Sequence, residues 1–195
     1  KSFANQSVCN FLQVLGDDSD FDSFDFLFDK ALIEIVAAQN LKAYFCIIKI
    51  EIQNFKNINM YPEYLVAPMR ADLTSVGFDE LKNADEVKSA IEAEGTAFVV
   101  VNSVCGCAAA NARPAAKLAA SNAKRPDRLV TVFAGMEKDA VDAARQYMLP
   151  YPPSSPAMAL FKDGKLVHII ERHQIEGRAA EMIADNLIGA FEEHC

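Results

Sequence analysis

The sequence has too few basic residues, and too many charges in its apolar stretches, for several classes of protein. It holds 19 Lys and Arg against 27 Asp and Glu, a formal net charge of −8, whereas a nucleic-acid-binding protein needs a clustered basic face. The most apolar early stretch, residues 31–52, is interrupted by Glu34, Lys42 and Lys49, and a membrane span needs roughly 20 apolar residues with few or no charges. No basic segment leads into an apolar core and a small-residue cleavage site. We therefore expect a cytoplasmic protein in a reducing compartment, with no nucleic acid or membrane as partner.

The first 59 residues differ in composition from the rest. They lack Pro, Arg and His, contain one Gly, Gly16, and hold eight of the thirteen Phe. This composition, rich also in Asn, Ile and Lys, resembles the translation of AT-rich DNA. We therefore expect residues 1–59 to be either upstream sequence that was read through when the start of the gene was assigned, or a poorly folded extension. Residues 60–195 should form the domain. The alternative is an accessory element, residues 1–59, that packs on that domain.

The second segment alternates apolar runs with helical patterns. Two runs of β-branched and aromatic residues, 97–104 and 128–135, are typical of strands buried on both faces, and a helix lies between them. A third strand follows the proline-rich segment 151–156, and Asp163-Gly164 predicts a hairpin to a fourth. An amphipathic helix closes the chain. Because a helical crossover joins the first two strands, they should be parallel. This α/β order predicts a thioredoxin-like fold: a mixed four-stranded central sheet flanked by helices, with extra N-terminal helices.

Two cysteines lie one residue apart where the first strand passes into an alanine-rich helix: Cys105 and Cys107, around Gly106. A helix N-terminus presents unpaired N–H groups and a partial positive charge, which favour a thiolate, so we expect the pKa of Cys105 to lie below the usual value for cysteine. A disulfide between residues i and i+2 needs a bent backbone, and we expect Gly106 to supply angles that other residues resist. The pair therefore predicts a closable, strained bridge suited to disulfide exchange.

Other interpretations of the cysteine pair remain open. The total of five cysteines is odd and argues against a structural disulfide framework in a reducing compartment. The pair could be half of a metal site, which would make the protein a metal-binding or metallochaperone module, although no second closely spaced pair completes four zinc ligands. A third possibility is an interaction domain whose thiols are idle. The candidate metal ligands are Cys105, Cys107, His168, His173, His194 and Cys195.

The predicted topology places two further segments at the cysteine end of the sheet. The third strand should run antiparallel to the first, so Ser155-Pro156, just before it, should lie beside Cys105. We expect a cis peptide bond there, which would turn the Ser155 backbone toward the thiols for pairing with an extended substrate; a trans turn is the alternative. The fourth strand should end at the same edge, where Arg172 or His173 could stabilise a thiolate or attract an anionic thiol, unless they lie in a solvated loop.

Five separated blocks of the second segment form one ordered set: MYPEYLVAPMRADL, VVVNSVCGCAAANARPA, LVTVFAGMEKDA, YPPSSPAMALFKDG and ERHQIEGRAAE. On these blocks, the sequence resembles the bacilliredoxins over residues 60–195, and the family's usual start falls at Met60. One departure is an Ala where Gly is more usual after the cysteine motif.

The resemblance implies a thioredoxin-like fold and cytosolic thiol chemistry without a bound cofactor. Members of the family remove bacillithiol from S-bacillithiolated proteins, so bacillithiol and such proteins are the implied partners, and weak disulfide isomerase activity is associated with the family. Cys105 would attack and take up bacillithiol, and Cys107 would resolve the adduct. Bacillithiol carries two carboxylates, which Arg172 or Arg113 would complement.

Overall fold

The computed structural model describes residues 61–195. The predictions for residues 1–59, including Cys9 and Cys46, lie outside the described residues. The helices are α1 Glu63–Thr74, α2 Ala84–Glu92, α3 Arg113–Ala120, α4 Lys138–Tyr147, α5 Arg172–Ile175 and α6 Ala180–His194, with a π-helical segment, Ala108–Ala112, directly before α3. The strands are β1 Asp79–Glu80, β2 Thr96–Asn102, β3 Arg128–Phe133, β4 Ala157–Lys162 and β5 Lys165–Ile170.

The strands form one mixed sheet in the order β1-β3-β2-β4-β5. β3 pairs in parallel with both β1 and β2, whereas β4 runs antiparallel to β2 and to β5. Consequently β5 runs in the same direction as β2, as predicted, and both strands end at the same edge of the sheet. The order β3-β2-β4-β5, with a helical crossover between β2 and β3, is that of the thioredoxin fold. The expected four strands become five because Asp79–Glu80 adds a two-residue edge strand.

The central strand β2 is buried along its whole length and separates two layers of the core. On one face, Phe98 packs with α3 and α6 and lies edge-on to Phe191, with the ring centroids 5.2 Å apart. On the other face, Val99 and its alternate neighbours pack with α2 and α4. Because successive side chains of a strand point to opposite faces, an unbroken apolar run suits a strand covered on both sides. The core therefore fixes the position at which β2 ends.

Two carboxylates tie down the opposite end of β2, where the strand begins. Asp127 accepts hydrogen bonds from the N–H and the hydroxyl of Thr96, at 2.7 and 2.8 Å. In the β4–β5 hairpin, Asp163 and Gly164 have positive φ angles of 49° and 77°, as a tight Asp-Gly turn requires. Asp163 accepts a hydrogen bond from the Gly95 N–H at 2.8 Å and donates its own N–H to the Gly95 carbonyl at 2.9 Å. The first residues of β2 are thus held from both sides.

Two prolines lie within helical segments, where proline usually breaks or kinks the chain. Pro68 lies inside α1, which runs through it without a break. Before Pro114, the Arg113 N–H bonds to the Ala108 carbonyl, five residues back, and Pro114 lies in the first turn of α3. The wider π turn suits a proline because proline lacks an N–H and its ring clashes with an α-helical carbonyl. Within residues 61–195, no helix has both the length and the apolar character needed to cross a bilayer.

Candidate active site

The cysteine pair lies at the end of the central strand. β2 ends at Asn102, and helical backbone begins at residue 106, so Cys105 stands between them. Cys105 and Cys107 are both partly exposed and are joined by a disulfide, with their Cα atoms 5.4 Å apart. That separation falls inside the range found in disulfides. The expectation that neighbouring cysteines at this spacing can form a bridge is met, and the expectation that the bridge is strained stays a prediction.

Two donors are directed at the Cys105 sulfur. The Ala108 N–H lies 3.3 Å from Sγ, and the Ser103 hydroxyl lies 3.2 Å from it. The Cys105 carbonyl meanwhile accepts from the N–H groups of Ala108 and Ala109, which starts the helical turn. The sulfur therefore caps a helix N-terminus, where N–H groups and the helix dipole favour a negative charge. After reduction, this arrangement supports a thiolate over a thiol, because hydrogen bonds donated to the charged form stabilise it.

Gly106 does not play the backbone role that the sequence analysis assigned to it. Five glycines among the described residues have positive φ angles, and Gly106 is not one of them. A Cβ built at Gly106 would also meet no atom within 4 Å. The reason is that the chain has already entered helical geometry at this residue, which every L-residue can adopt. Gly106 is exposed between the two cysteines, so what the glycine provides there is open space.

The proline-rich loop reaches the same edge of the sheet. The Ser155-Pro156 bond is cis, as predicted, and the Leu149-Pro150 bond, which was not predicted, is cis as well. In the pairing of β2 with β4, Val101 lies opposite Ala157. Pro156 precedes that pair and therefore lies at the edge where β2 ends. This register agrees with the expected placement of the loop beside the cysteine segment.

Arg172 and His173 differ in their surroundings. Arg172, the first residue of α5, donates from Nη1 to the Ser155 carbonyl at 3.4 Å, and its N–H lies 3.4 Å from Ser154 Oγ. The structure thus brings two of the predicted site residues, Arg172 and Ser155, together. His173 has a side chain that is 71% exposed, with its Nδ1 3.9 Å from Glu171 Oε2. Arg172 and His173 lie in the short helix α5 and not in the solvated loop that was the alternative, and the closing helix α6 begins at Ala180.

Comparison with known proteins assigns the family. The family model for disulphide isomerase matches residues 61–195. A bacilliredoxin from Cytophaga hutchinsonii is 55% identical over 134 residues, covering 69% of this chain and 99% of that protein, and one from Halalkalibacterium halodurans is 54% identical over 136 residues, covering 69% and 94%. The chain belongs to the bacilliredoxin family. It is accordingly a thiol–disulfide oxidoreductase.

Among solved structures, the thioredoxin of Malassezia sympodialis shares 14% identity with this bacilliredoxin, with a TM-score of 0.43. The alignment covers 60% of this chain and 90% of the thioredoxin.

The structure gives Arg113 another role than contact with a thiol substrate. Arg113 is only 4% exposed, and its Nε donates to Asp72 at 2.9 Å, while the Lys117 ammonium lies 3.3 Å from the other oxygen of Asp72. Burial by itself raises the pKa of Asp72, but the hydrogen bonds from Arg113 and Lys117 outweigh it and leave that pKa below its ordinary value. Arg113 is therefore a buried partner within this bacilliredoxin, and the sequence interpretation of it as a substrate ligand is corrected.

Two residues of the site were missed by the sequence analysis, Asn102 and Ser103. They are 1% and 6% exposed, and they are the last residue of β2 and the residue that follows it. Their signal in the sequence is weak: two polar residues at the end of a run of valines. Such a pair at the buried end of a strand must find hydrogen-bond partners, and here one of those partners is the Cys105 sulfur.

The candidate metal ligands do not assemble. Among residues 61–195, no group of three or more His, Cys, Asp or Glu side chains could hold a metal ion. His168 bonds to Asn186 at 2.8 Å. Cys195 is exposed and lies near Thr96, at the start of β2 and so at the far end of that strand from Cys105. Burial of its sulfur, together with the nearby Asp127, raises the pKa of Cys195 despite the hydrogen bond with Thr96.

Proposed function

We propose that this bacilliredoxin removes bacillithiol from S-bacillithiolated proteins, with Cys105 as nucleophile and Cys107 as resolving thiol. One observation carries the proposal: a partly exposed sulfur, Cys105 Sγ, accepts from two donors at a helix N-terminus and lies within bonding reach of a second cysteine. Such a sulfur is the nucleophile that disulfide exchange requires. Bacillithiol acts as a co-substrate, and no cofactor need be bound.

The reaction consists of two exchanges. The Cys105 thiolate attacks the bacillithiol sulfur of the mixed disulfide; that S–S bond breaks, its electron pair leaves on the client protein's sulfur, and a Cys105–bacillithiol disulfide forms. The Cys107 thiolate then attacks Cys105 Sγ, closes the bridge and releases bacillithiol as a thiolate. The client disulfide gains two electrons and the cysteine pair loses two, so a further thiol reductant must reopen the bridge. The reversibility of exchange would also permit weak disulfide isomerase activity.

The residues around the cysteines supply the substrate contacts in this proposal. The open space over Gly106 admits the mixed disulfide. The backbone at Ser155 and Pro156 runs beside an extended client segment, and the exposed side chains of Arg172 and His173 attract the carboxylates of bacillithiol. Clients are disulfide-containing proteins of a reducing cytoplasm, where a dithiol can be regenerated.

A trapping experiment tests the proposal. Full-length Cys107→Ala protein is reduced, mixed with an S-bacillithiolated model protein, and analysed by peptide mass spectrometry. We expect a bacillithiol adduct on Cys105 that persists in Cys107→Ala and does not accumulate in the wild type. Cys195→Ala is the matched control and should behave as the wild type. An absence of adduct on Cys105, with the model protein still modified, would overturn the assignment.

A further inference from the structure

Ser103 has every polar group engaged. Its N–H donates to Asn102 Oδ1 at 2.8 Å, its carbonyl accepts from Arg113 Nη1 at 3.1 Å, and its hydroxyl donates to Cys105 Sγ at 3.2 Å. A serine hydroxyl ordinarily rotates among several acceptors. Here the backbone on both sides of the side chain is fixed by hydrogen bonds, so the hydroxyl is directed at the sulfur.

Arg113 holds the segment that carries this serine. Its Nη1 donates to Asn102 Oδ1 at 3.2 Å as well as to the Ser103 carbonyl, and the Asn102 amide in turn donates to the Met69 carbonyl of α1 at 3.1 Å. One guanidinium therefore joins α3 to the two residues that precede Val104 and Cys105. The link between strand and cysteine is pinned to two helices.

The burial of Arg113 calls for a reason, because removing a charge from water is costly even when the charge is paired. Lys117 pairs with the same carboxylate, Asp72, from a side chain that is 35% exposed. An ion pair with Asp72 thus does not require a buried cation. What Arg113 adds from its buried position is the pair of inward hydrogen bonds to Asn102 and Ser103.

We propose that Arg113 is a positioning residue: it acts through Asn102 and Ser103 to hold the Ser103 hydroxyl against Cys105 Sγ, and this contact keeps the reduced sulfur reactive. The proposal rests on the function given above, in which Cys105 is the nucleophile. The hydroxyl bond strengthens when the sulfur becomes a thiolate, because bonds to a charged acceptor are roughly twice as strong as bonds to a neutral one. Arg113 itself does not touch the sulfur.

The test measures the reactivity of Cys105 without any substrate protein. The rate of Cys105 alkylation by iodoacetamide is followed from pH 4 to pH 10 in the reduced full-length chain, resolved by peptide mass spectrometry. We expect Ser103→Ala to move the midpoint of the profile upward and to slow alkylation at pH 6 by about 3- to 10-fold. The loss of one hydrogen bond to a charged group lowers the thiolate fraction by about 10-fold or more, and the greater nucleophilicity of a thiolate of higher pKa offsets part of that loss. Arg113→Met should give a similar shift, and adding it to Ser103→Ala should change nothing further.

Lys117→Ala is the matched control, since it removes a positive charge from the same helix and the same carboxylate without touching Asn102 or Ser103. It should leave the profile in place. Additive shifts of Arg113→Met and Ser103→Ala, a Lys117→Ala shift as large as that of Arg113→Met, or a wild-type profile in Ser103→Ala would each overturn the proposal.

If Arg113→Met does not give folded protein, Arg113→Lys replaces it: it keeps the charge but presents one nitrogen where the guanidinium presents several, so a wild-type profile would contradict the proposal. If the variants shift the alkylation profile as expected but no bacillithiol adduct forms on Cys105 in the trapping experiment, bacillithiol is ruled out as the substrate and the positioning role of Arg113 stands.

Discussion

The guanidinium Nη1 of Arg172 lies 3.4 Å from the carbonyl oxygen of Ser155, and this contact links the end of β5 to the loop that leads into β4. The main-chain N–H of Arg172 reaches Ser154 in the same loop. The two segments are 17 residues apart in sequence and meet at the edge of the sheet where the cysteine segment also begins. Arg172 therefore affects the shape of the proposed client-binding loop as well as its charge.

Replacing Arg172 should weaken recognition of protein clients. In Arg172→Ala we expect kcat/KM for an S-bacillithiolated protein to fall about 5-fold, which corresponds to one exposed hydrogen bond of about 1 kcal/mol, while the rate of Cys105 alkylation stays unchanged. Lys165→Ala, an exposed cation at the opposite end of β5, is the control and should keep the wild-type value. Equal kcat/KM in wild type and Arg172→Ala would remove Arg172 from the client site.

Gly106 offers a test of where the substrate passes. Because the glycine has an ordinary φ and no atom lies within 4 Å of an added Cβ, Gly106→Ala should fold and form the Cys105–Cys107 bridge as the wild type does. The new methyl group would occupy the space between the cysteines, so we expect slower exchange with a protein mixed disulfide, by about 3-fold or more, and little change with a small disulfide. Comparing the two rates checks this, and equal slowing of both would argue against a route over Gly106.

Arg70 should be a major contributor to the free energy of unfolding. Its side chain is 10% exposed, and its guanidinium bonds to Glu80 at 2.7 Å and Glu137 at 2.6 Å and lies 5.1 Å from the ring centroid of Phe133. Arg70→Met leaves two half-buried carboxylates unpaired, and we expect a loss of about 3 kcal/mol in urea unfolding. Lys88→Met, whose ammonium is 4.0 Å from Glu92 on an exposed face, should cost less than about 0.5 kcal/mol. Similar losses of stability in Arg70→Met and Lys88→Met would show that the carboxylates of Glu80 and Glu137 remain solvated.

Asp127 predicts part of the acid sensitivity of the fold. The hydrogen bond from the Thr96 N–H has the largest effect on the pKa of Asp127, and the bond from the Thr96 hydroxyl has the next largest. Together they lower that pKa from its ordinary value of 3.8. A carboxyl whose pKa is lower in the folded state stabilises the fold above its ordinary pKa, and the stabilisation is lost as pH falls through the folded value. Asp127→Asn should therefore be less stable than wild type at pH 6, by about 1 kcal/mol or less at this exposed site. The difference should vanish near pH 2. Urea unfolding of both proteins at pH 6 and pH 2 checks this. An equal difference in the free energy of unfolding at the two pH values would show that the charge of Asp127 is not its cause.

The sequence predicts the parts of this structure that repeat a strong local pattern. The buried strands, the Asp-Gly hairpin and the helix capped by Asn83, whose Oδ1 accepts from the Glu86 N–H at 2.9 Å, all follow from periodicity and turn chemistry. The edge strand Asp79–Glu80 does not, because two acidic residues show no apolar alternation and pair only because β3 is present.

At the site, sequence reasoning identifies the cysteines and the proline loop but not what surrounds the sulfur. The placement of Cys105 and Pro156 follows from strand order alone. The burial of Arg113 could not be predicted, because an arginine on a helix is usually solvated. Only the packing of α3 against α1 and against the end of β2 brings Asp72 and Asn102 to it. Gly106 shows the converse error, in which a residue's conformational freedom was inferred where the chain does not use it.

The hydrogen bonds that Asp127 and Asp163 accept at the beginning of β2 have a consequence for the redox cycle. With Thr96 held by Asp127, and Gly95 by Asp163, the central strand cannot slide along its neighbours when the cysteines open or close. Any shift that accompanies electron exchange must be absorbed beyond Asn102, in the few residues around the sulfurs. The enzyme can thus alternate between dithiol and disulfide while the rest of the sheet keeps one register.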